Sequence, residues 1–151
     1  MQRQSWWRWT VAAIVVAGLL SVSAALAQGD TGQAVRSVLE QQASAWNRGD
    51  IPGFMAGYEN AETTTFVGTD VNRGYQKVLE LYLKRYPTPA AMGKLTFFAL
   101  EILPLGEEYA SALGQWKLER APKDGGNVGG YFTLLLRKTA LGWRIILDHT
   151  S

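Results

Sequence analysis

The sequence predicts an α+β domain in which helices pack on one face of a curved, mainly antiparallel sheet. Up to about residue 86, apolar side chains mostly recur every three or four positions, which is the helical period. From Lys94 onward the period changes to two, and four strand-like runs follow one another between turns. Helices followed by an antiparallel meander indicate the α+β class.

The first two helices are marked by their ends. Asp30 and Gln33 form a capping-box pattern at the start, and Gly49 is typical of a residue that ends a helix. Asp50 with Pro52 predicts a short second helix that reaches about Gly57. The inward-facing stripe of the first helix is Val35, Val38, Leu39, Gln42 and Trp46; that of the second is Ile51, Phe54, Met55 and Tyr58.

Residues Thr63 to Val67 read as a strand, ended by a turn at Gly68-Thr69-Asp70. A third helix is predicted from Asn72 or Arg73 to Tyr86, before the helix-stopping Pro87-Thr88-Pro89. Tyr75, Tyr82 and Tyr86 share one stripe of this helix. Two interpretations stay open: the tyrosines line a cavity with polar tips, or they pack in the core with their hydroxyls at solvent.

The four later strands are predicted at Leu95–Leu103, Tyr109–Glu119, Tyr131–Lys138 and Trp143–Thr150. The loop Lys123–Asn127 is glycine-rich, but it leads into a strand and lacks the phosphate-binding glycine patterns. We interpret it as a hairpin connection.

Residues 1–27 have the pattern of a secretory signal peptide. Arg3 and Arg8 precede an uncharged run from Val11 to Leu26, and Ala25-Leu26-Ala27 is a typical cleavage site. We expect cleavage before Gln28 and an exported domain, periplasmic or extracellular, spanning residues 28–151. The alternative is a retained membrane anchor, because Trp6, Trp7 and Trp9 favour membrane interfaces.

Composition excludes several classes of function. The chain has 15 Lys+Arg and 13 Asp+Glu, and loss of Arg3 and Arg8 would leave 13 of each. Such a balance, without a basic block, argues against nucleic-acid binding. The absence of cysteine excludes disulfides and thiolate chemistry. With His149 as the only histidine we predict no metal site and no cofactor, and no GxSxG motif supports a serine triad.

Strand alternation places two ionisable groups at the ends of apolar rows. Arg120 ends the row of Ala110, Ala112, Gly114, Trp116 and Leu118. In a regular last strand, His149 shares a face with Trp143, Ile145 and Leu147, whereas Asp148 faces the other way. Such polar groups at the rim of an apolar concavity predict a small-molecule site.

Each candidate has a functional and a structural interpretation. His149 is a candidate acid or base because its unperturbed pKa lies near neutrality, and Arg120 is a candidate anion or oxyanion partner. Tyr58, Tyr82, Tyr86 and Trp116 are candidate pocket walls. The structural alternative is a histidine that hydrogen-bonds locally at the strand end, with Asp148 anchoring a neighbouring loop or Arg144.

Motifs over nearly all of residues 33–151 resemble the nuclear transport factor 2-like superfamily, in its SnoaL-like branch of small bacterial domains. They are Ala45-Trp46-Asn47 with Gly49-Asp50, Tyr58, Phe66-Val67-Gly68, Gly74, Met92–Leu95 with Phe97, Gly114–Leu118 with Arg120, Gly129-Gly130 with Phe132–Leu134, Trp143–Ile145 and Asp148–Ser151.

The resemblance implies a cone-shaped domain with three helices on a strongly curved sheet that encloses an apolar pocket, often as a homodimer. It does not fix an activity, because relatives include isomerases, cyclases, dehydratases and non-catalytic scaffolds. We therefore expect an exported domain that binds an apolar or aromatic small molecule, with isomerase, cyclase or hydrolase activity as an option. The alternative is a non-catalytic dimeric module, since Leu134, Leu135 and Leu136 are apolar on both faces of their strand.

Overall fold

The computed structural model describes residues 30–151, so the predicted signal peptide lies outside the described residues. Four α-helices are present in this range: α1 (residues 30–47), α2 (Ile51–Met55), α3 (Tyr75–Arg85) and α4 (Pro89–Met92). Six strands form one sheet: β1 (Thr65–Val67), β2 (Val71–Arg73), β3 (Lys94–Leu105), β4 (Tyr109–Glu119), β5 (Val128–Thr139) and β6 (Gly142–Thr150). The predicted α+β class is confirmed.

The strands lie side by side in the order β2-β1-β6-β5-β4-β3. All neighbours are antiparallel except β1 and β6, which run parallel. A single 3₁₀ turn, Pro122–Asp124, lies in the glycine-rich connection between β4 and β5. The sheet is therefore mixed, with the predicted meander forming its larger part.

Polar side chains fix α1 and α2 at their ends. The Asp50 carboxylate accepts the backbone N–H of Gly53 at 2.8 Å and so caps α2. Asn47 exchanges two hydrogen bonds with the backbone of Leu95, at 2.7 and 3.0 Å, and thereby ties the end of α1 to β3. The core lies between these helices and the inner face of the sheet, where Leu39, Met55 and Leu136 are almost fully buried.

Two short elements differ from the predicted ones. Residues 71–73 form strand β2, which pairs with β1 around the Gly68–Asp70 turn, so α3 begins at Tyr75 rather than at Asn72 or Arg73. Gly74 precedes that helix with φ +95°, a conformation that favours glycine. The other addition is α4, whose N-cap Thr88 accepts the Ala91 N–H at 3.1 Å.

A β-bulge in β6 changes which side chains face the core. Leu136 pairs with Ile145 and Leu135 pairs with Leu147, so Ile146 has no partner on β5. One extra residue reverses the alternation beyond it. As a result Ile145 and Asp148 are both buried, whereas Leu147 and His149 are exposed.

None of the helices in the described part of the chain combines the length and the apolar character that a membrane span requires.

Candidate functional site

A cavity of about 410 Å³ lies between the helices and the inner face of the sheet. Its wall is mostly aromatic and aliphatic, with contributions from every large element. Helical residues include Leu39, Trp46, Phe54 and Tyr82, and sheet residues include Phe97, Trp116, Phe132, Leu134 and Ile145. This volume is in the range of small-molecule sites in proteins.

Asp148 places a carboxyl group in this apolar wall. The residue is 5% exposed and lies on β6 opposite Leu134 of β5. The Tyr58 hydroxyl donates to its Oδ2 at 2.5 Å, and the Thr150 hydroxyl donates to its Oδ1 at 2.7 Å. The carboxyl therefore has one hydrogen bond on each oxygen and retains acceptor capacity on both.

Burial controls the protonation of this group. It raises the pKa of Asp148 above its ordinary value of 3.8, because the charged form is poorly solvated there. The hydrogen bonds from Tyr58 and Thr150, and then the charge of His149, act in the opposite direction but do not cancel it. The proton on Asp148 is thus held more tightly than on a solvent-exposed carboxyl.

Tyr58 and Tyr82 form a pair of hydroxyls beside the carboxyl. Their oxygens are 3.5 Å apart. Because Tyr58 directs its single proton to Asp148, the Tyr82 proton is free to point at Tyr58 or at a ligand oxygen. Burial is the main cause that raises the pKa of both tyrosines, with the negative charge of Asp148 second, so both remain protonated donors at neutral pH.

Aromatic packing holds Tyr82 in position. Its ring packs edge-to-face against Trp46, Phe54 and Phe66, and stacks on Tyr86 with 6.2 Å between centroids. Tyr82 and Tyr86 both line the cavity. Tyr82 and Tyr86 of the tyrosine stripe thus fit the cavity interpretation, whereas Tyr75 is not part of the lining.

A structure of an NTF2-like protein of unknown function from Shewanella oneidensis MR-1 is similar to this chain. The two share 33% sequence identity, and the match covers 80% of this chain and 98% of the other, with a TM-score of 0.74. The chain belongs to the NTF2-like superfamily. The resemblance to this superfamily that the sequence motifs indicated is confirmed.

Two more distant structures share the NTF2-like fold. One is a ketosteroid isomerase-like protein from Erwinia carotovora atroseptica (20% identity, 79% of this chain and 93% of the other, TM-score 0.61). The other is an NTF2-like superfamily protein from Salmonella enterica serovar Typhimurium (18% identity, 82% and 91%, TM-score 0.67). No protein-family model matches the sequence, and no curated protein matches it.

Most of the residues predicted for the pocket meet in this NTF2-like cavity. Tyr58, Tyr82, Tyr86, Trp116 and Asp148 all line it. The predicted direction of Asp148 was wrong, because the bulge at Ile146 turns its side chain inward. The same bulge leaves His149 exposed on the opposite face from Asp148, although His149 still forms part of the cavity lining.

Arg120 does not line the described cavity. Its guanidinium donates to the carbonyl oxygens of Gly126 at 2.8 Å, Ala91 at 3.3 Å and Gly125 at 3.5 Å. The prediction of an anion-binding Arg120 in the pocket is therefore wrong in its placement. The side chain instead joins the glycine-rich connection to the end of α4.

Sequence reasoning missed several polar residues of the cavity lining, which are Gln42, Thr69, Arg85, Thr150 and Ser151. Thr150 follows the predicted histidine by one position, but only the inward turn of Asp148 brings the two side chains together. The sequence does single out Gln42, because it is the polar member of an otherwise apolar stripe on α1. Within residues 30–151, no cluster of three histidine, aspartate or glutamate side chains is arranged to hold a metal ion.

Proposed function

We propose that this NTF2-like domain binds an apolar small molecule whose oxygen-bearing group lies against Asp148, Tyr58 and Tyr82. The observation that carries the proposal is a buried carboxyl, held by two hydroxyls, in the wall of an apolar cavity of about 410 Å³. An unfilled cavity and a buried carboxyl both reduce stability, so their combination favours a binding role over a packing role.

The same groups are suited to proton transfer. A carboxyl with a raised pKa can accept a proton from a bound molecule and return it, and the Tyr82 hydroxyl can donate to a ligand carbonyl that gains negative charge. We therefore place an isomerase-like reaction, with proton abstraction next to a carbonyl, ahead of cyclase or hydrolase activity. The name of the ketosteroid isomerase-like neighbour supports this choice of class.

The first experiment is a thermal-shift screen of the purified protein against ketones, steroids and aromatic acids. A bound molecule raises the melting temperature by mass action. With the best binder, Tyr58→Phe and Asp148→Asn should each weaken binding about tenfold, since each removes a group at a buried polar contact. Tyr131→Phe, on the exposed outer face, is the matched control and should bind normally. Unchanged binding in both site variants would reject the proposal.

The predicted acid or base role of His149 is tested in the same assay. His149 adjoins Asp148 in sequence, and its charge lowers the pKa of that carboxyl. If Asp148 is the proton acceptor, His149→Ala should change the pH dependence of turnover and keep a measurable rate. Complete loss of turnover at every pH, with binding intact, would instead favour His149 as the acid or base.

A second proposal concerns assembly: we propose that the outer face of the sheet forms a homodimer interface. Leu103 and Tyr131 are about 60% exposed there (61% and 60%), and Leu113 and Leu147 are exposed beside them. Strand pairing aligns Leu103, Ser111, Leu135 and Leu147 in one row across four strands. A mainly apolar exposed patch of this kind, interrupted by Ser111, is typical of protein interfaces.

Light scattering during size-exclusion chromatography tests the dimer. Leu103→Glu places a charge in the patch and should convert a dimer into a monomer. Leu141→Glu is the control, because Leu141 is 80% exposed in the turn between β5 and β6, outside the patch. A monomeric wild-type protein would reject the dimer and leave the ligand proposal intact.

We also propose that the domain is exported after cleavage before Gln28, as the leader sequence predicts. Mass spectrometry of the protein recovered from outside the cytoplasm should find Gln28 at the N-terminus. An N-terminus at Met1 in a membrane fraction would favour the retained-anchor alternative.

A further inference from the structure

Gln42 is a buried amide whose two ends have different surroundings. The residue lies on α1, is 2% exposed and lines the cavity. Its Nε2 donates to the carbonyl oxygen of Phe54 at 3.0 Å. Its Oε1 has no hydrogen-bond partner among residues 30–151.

The Phe54 carbonyl fixes which way the amide points. A carbonyl oxygen only accepts hydrogen bonds, so the NH₂ end of Gln42 must face it and the oxygen must face away. The Gln42 side chain packs directly against Gly57, where a Cβ would lie 2.7 Å from Cδ and Nε2 of Gln42. The amide is thus held in one orientation by α2 and by the turn that follows it.

The unpaired oxygen of Gln42 belongs to a residue of the cavity wall. In the described part of the chain, the enclosed side-chain atoms without a partner are Glu59 Oε2 and Trp116 Nε1, and Gln42 Oε1 is not one of them. Since Gln42 is 2% exposed and lines the cavity, the cavity is the space that its unpaired oxygen can face. A fixed, unpaired acceptor in an apolar wall favours ligands that carry a hydrogen-bond donor.

We propose that Gln42 Oε1 determines specificity by accepting a hydrogen bond from a hydroxyl or N–H group of the ligand. This inference rests on the proposed function and narrows its ligand class. Asp148, from the sheet, and Tyr82, from α3, meet one oxygen-bearing group, while Gln42, from α1, meets a separate donor. The ligand is therefore an apolar molecule with at least two polar points, one of which is a donor.

The test uses two probes, para,para′-dihydroxybiphenyl and its dimethyl ether, which has the same skeleton and oxygens but offers Gln42 no donor hydrogen in either orientation. Affinities are measured by calorimetry on the wild-type protein and on Gln42→Met, which keeps an unbranched side chain of similar size. The wild type should prefer the dihydroxy probe. Gln42→Met should reduce that preference by about threefold to tenfold, the range expected for one hydrogen bond.

Gln41→Met is the matched control, since Gln41 is exposed and bonds only to Ser37 within the described residues. It should keep the wild-type preference. An undiminished preference in Gln42→Met, or equal weakening of both probes, would overturn the inference.

A measurement on the wild-type protein covers the case in which Gln42→Met does not fold. The side-chain carboxamide NMR signals of Gln42 should shift further with the dihydroxy probe than with the dimethyl ether. Equal shifts with both probes would contradict the inference.

The two proposals fail in different ways. Binding that weakens in Tyr58→Phe and Asp148→Asn but shows no donor preference would remove the role of Gln42 alone. Binding that is unchanged in those two variants would remove the proposed site, whatever the preference between the probes.

Discussion

Asp148 is buried and accepts hydrogen bonds from two hydroxyls. Burial has the largest effect on its pKa. Burial raises the pKa above 3.8 even though Tyr58 and Thr150 stabilise the carboxylate. The folded state therefore binds the proton more tightly than the unfolded chain does. The carboxyl's stabilising contribution is complete below the unfolded pKa and is lost as the pH rises through the folded pKa.

Because the pKa of Asp148 is raised in the folded state, the stability difference between the wild type and Asp148→Asn depends on pH. The wild-type value minus the variant value should fall as the pH rises above about 4, by at most about 1.4 kcal/mol per pH unit. Urea unfolding at a series of pH values measures it. Asp70→Asn, at an exposed turn, controls for loss of surface charge. A difference that grows with pH would contradict the raised pKa.

Single residues also show where sequence reasoning stops. Tyr58, Tyr82 and Trp116 were predictable as cavity walls, because each lies on an apolar row or stripe that must face the core. The choice between Asp148 and His149 was not predictable. It depends on one unpaired residue, Ile146, and nothing in an apolar stretch such as Ile145-Ile146-Leu147 identifies which position is bulged.

At the scale of elements, a bulge in β3 stores backbone strain. Two residues, Ala99 and Leu100, lie opposite the single Gly114 of β4. Ala99 has φ +51°, the one positive value among the non-glycine residues described. Gly114 lacks a Cβ where one would meet Phe132 at 2.5 Å and Leu100 at 2.8 Å, so the bulge packs against a glycine.

Ala99→Gly should therefore raise the free energy of unfolding by about 0.5–1 kcal/mol. Relief of the left-handed strain on an L-residue exceeds the extra freedom that glycine gives the unfolded chain. Chemical denaturation measures the change. Ala110→Gly, at a buried and regular position of β4, is the control and should lower stability by about 1 kcal/mol or more. Loss of stability in Ala99→Gly would show that the bulge is not strained.

Arg120 stabilises the glycine-rich connection between β4 and β5 rather than the cavity. One guanidinium reaches three carbonyls, which a lysine ammonium cannot do with the same geometry. Arg120→Lys should lower the free energy of unfolding by about 1–2 kcal/mol and speed hydrogen exchange in residues 121–127. Ligand affinity should not change. Arg48→Lys, at an exposed position, controls for the substitution type. Weaker ligand binding with unaltered exchange would restore a pocket role for Arg120.

The elements missed from sequence are among the shortest ones. Strand β2 has three residues and α4 has four, too few for either period to be visible. Strand β1 is as short as β2 but was predicted from the β-branched and aromatic residues of Thr63 to Val67. The long strands β3 to β6 were predicted because their alternation runs over many positions, and α1 because its stripe and both ends are marked. The parallel pairing of β1 with β6 joins segments about 80 residues apart, and no local pattern encodes it.

At the scale of the whole molecule, the helices and the curved sheet leave space between them rather than closing on each other. If that space is a binding site, a side chain that fills it should exclude the ligand. Leu81 of α3 is half-buried and lines the cavity, whereas Leu83 of the same helix is exposed and does not line it. The two leucines therefore offer a matched pair.

Leu81→Trp should abolish the stabilisation that a ligand gives and change the free energy of unfolding by less than about 1 kcal/mol, because the larger ring enters empty space rather than a filled core. In the wild type, a ligand at one hundred times its Kd should add about 2.7 kcal/mol. Urea unfolding with and without the best ligand of the screen measures both quantities. Leu83→Trp should respond to the ligand as the wild type does. If Leu81→Trp keeps the full response, the ligand binds outside the cavity.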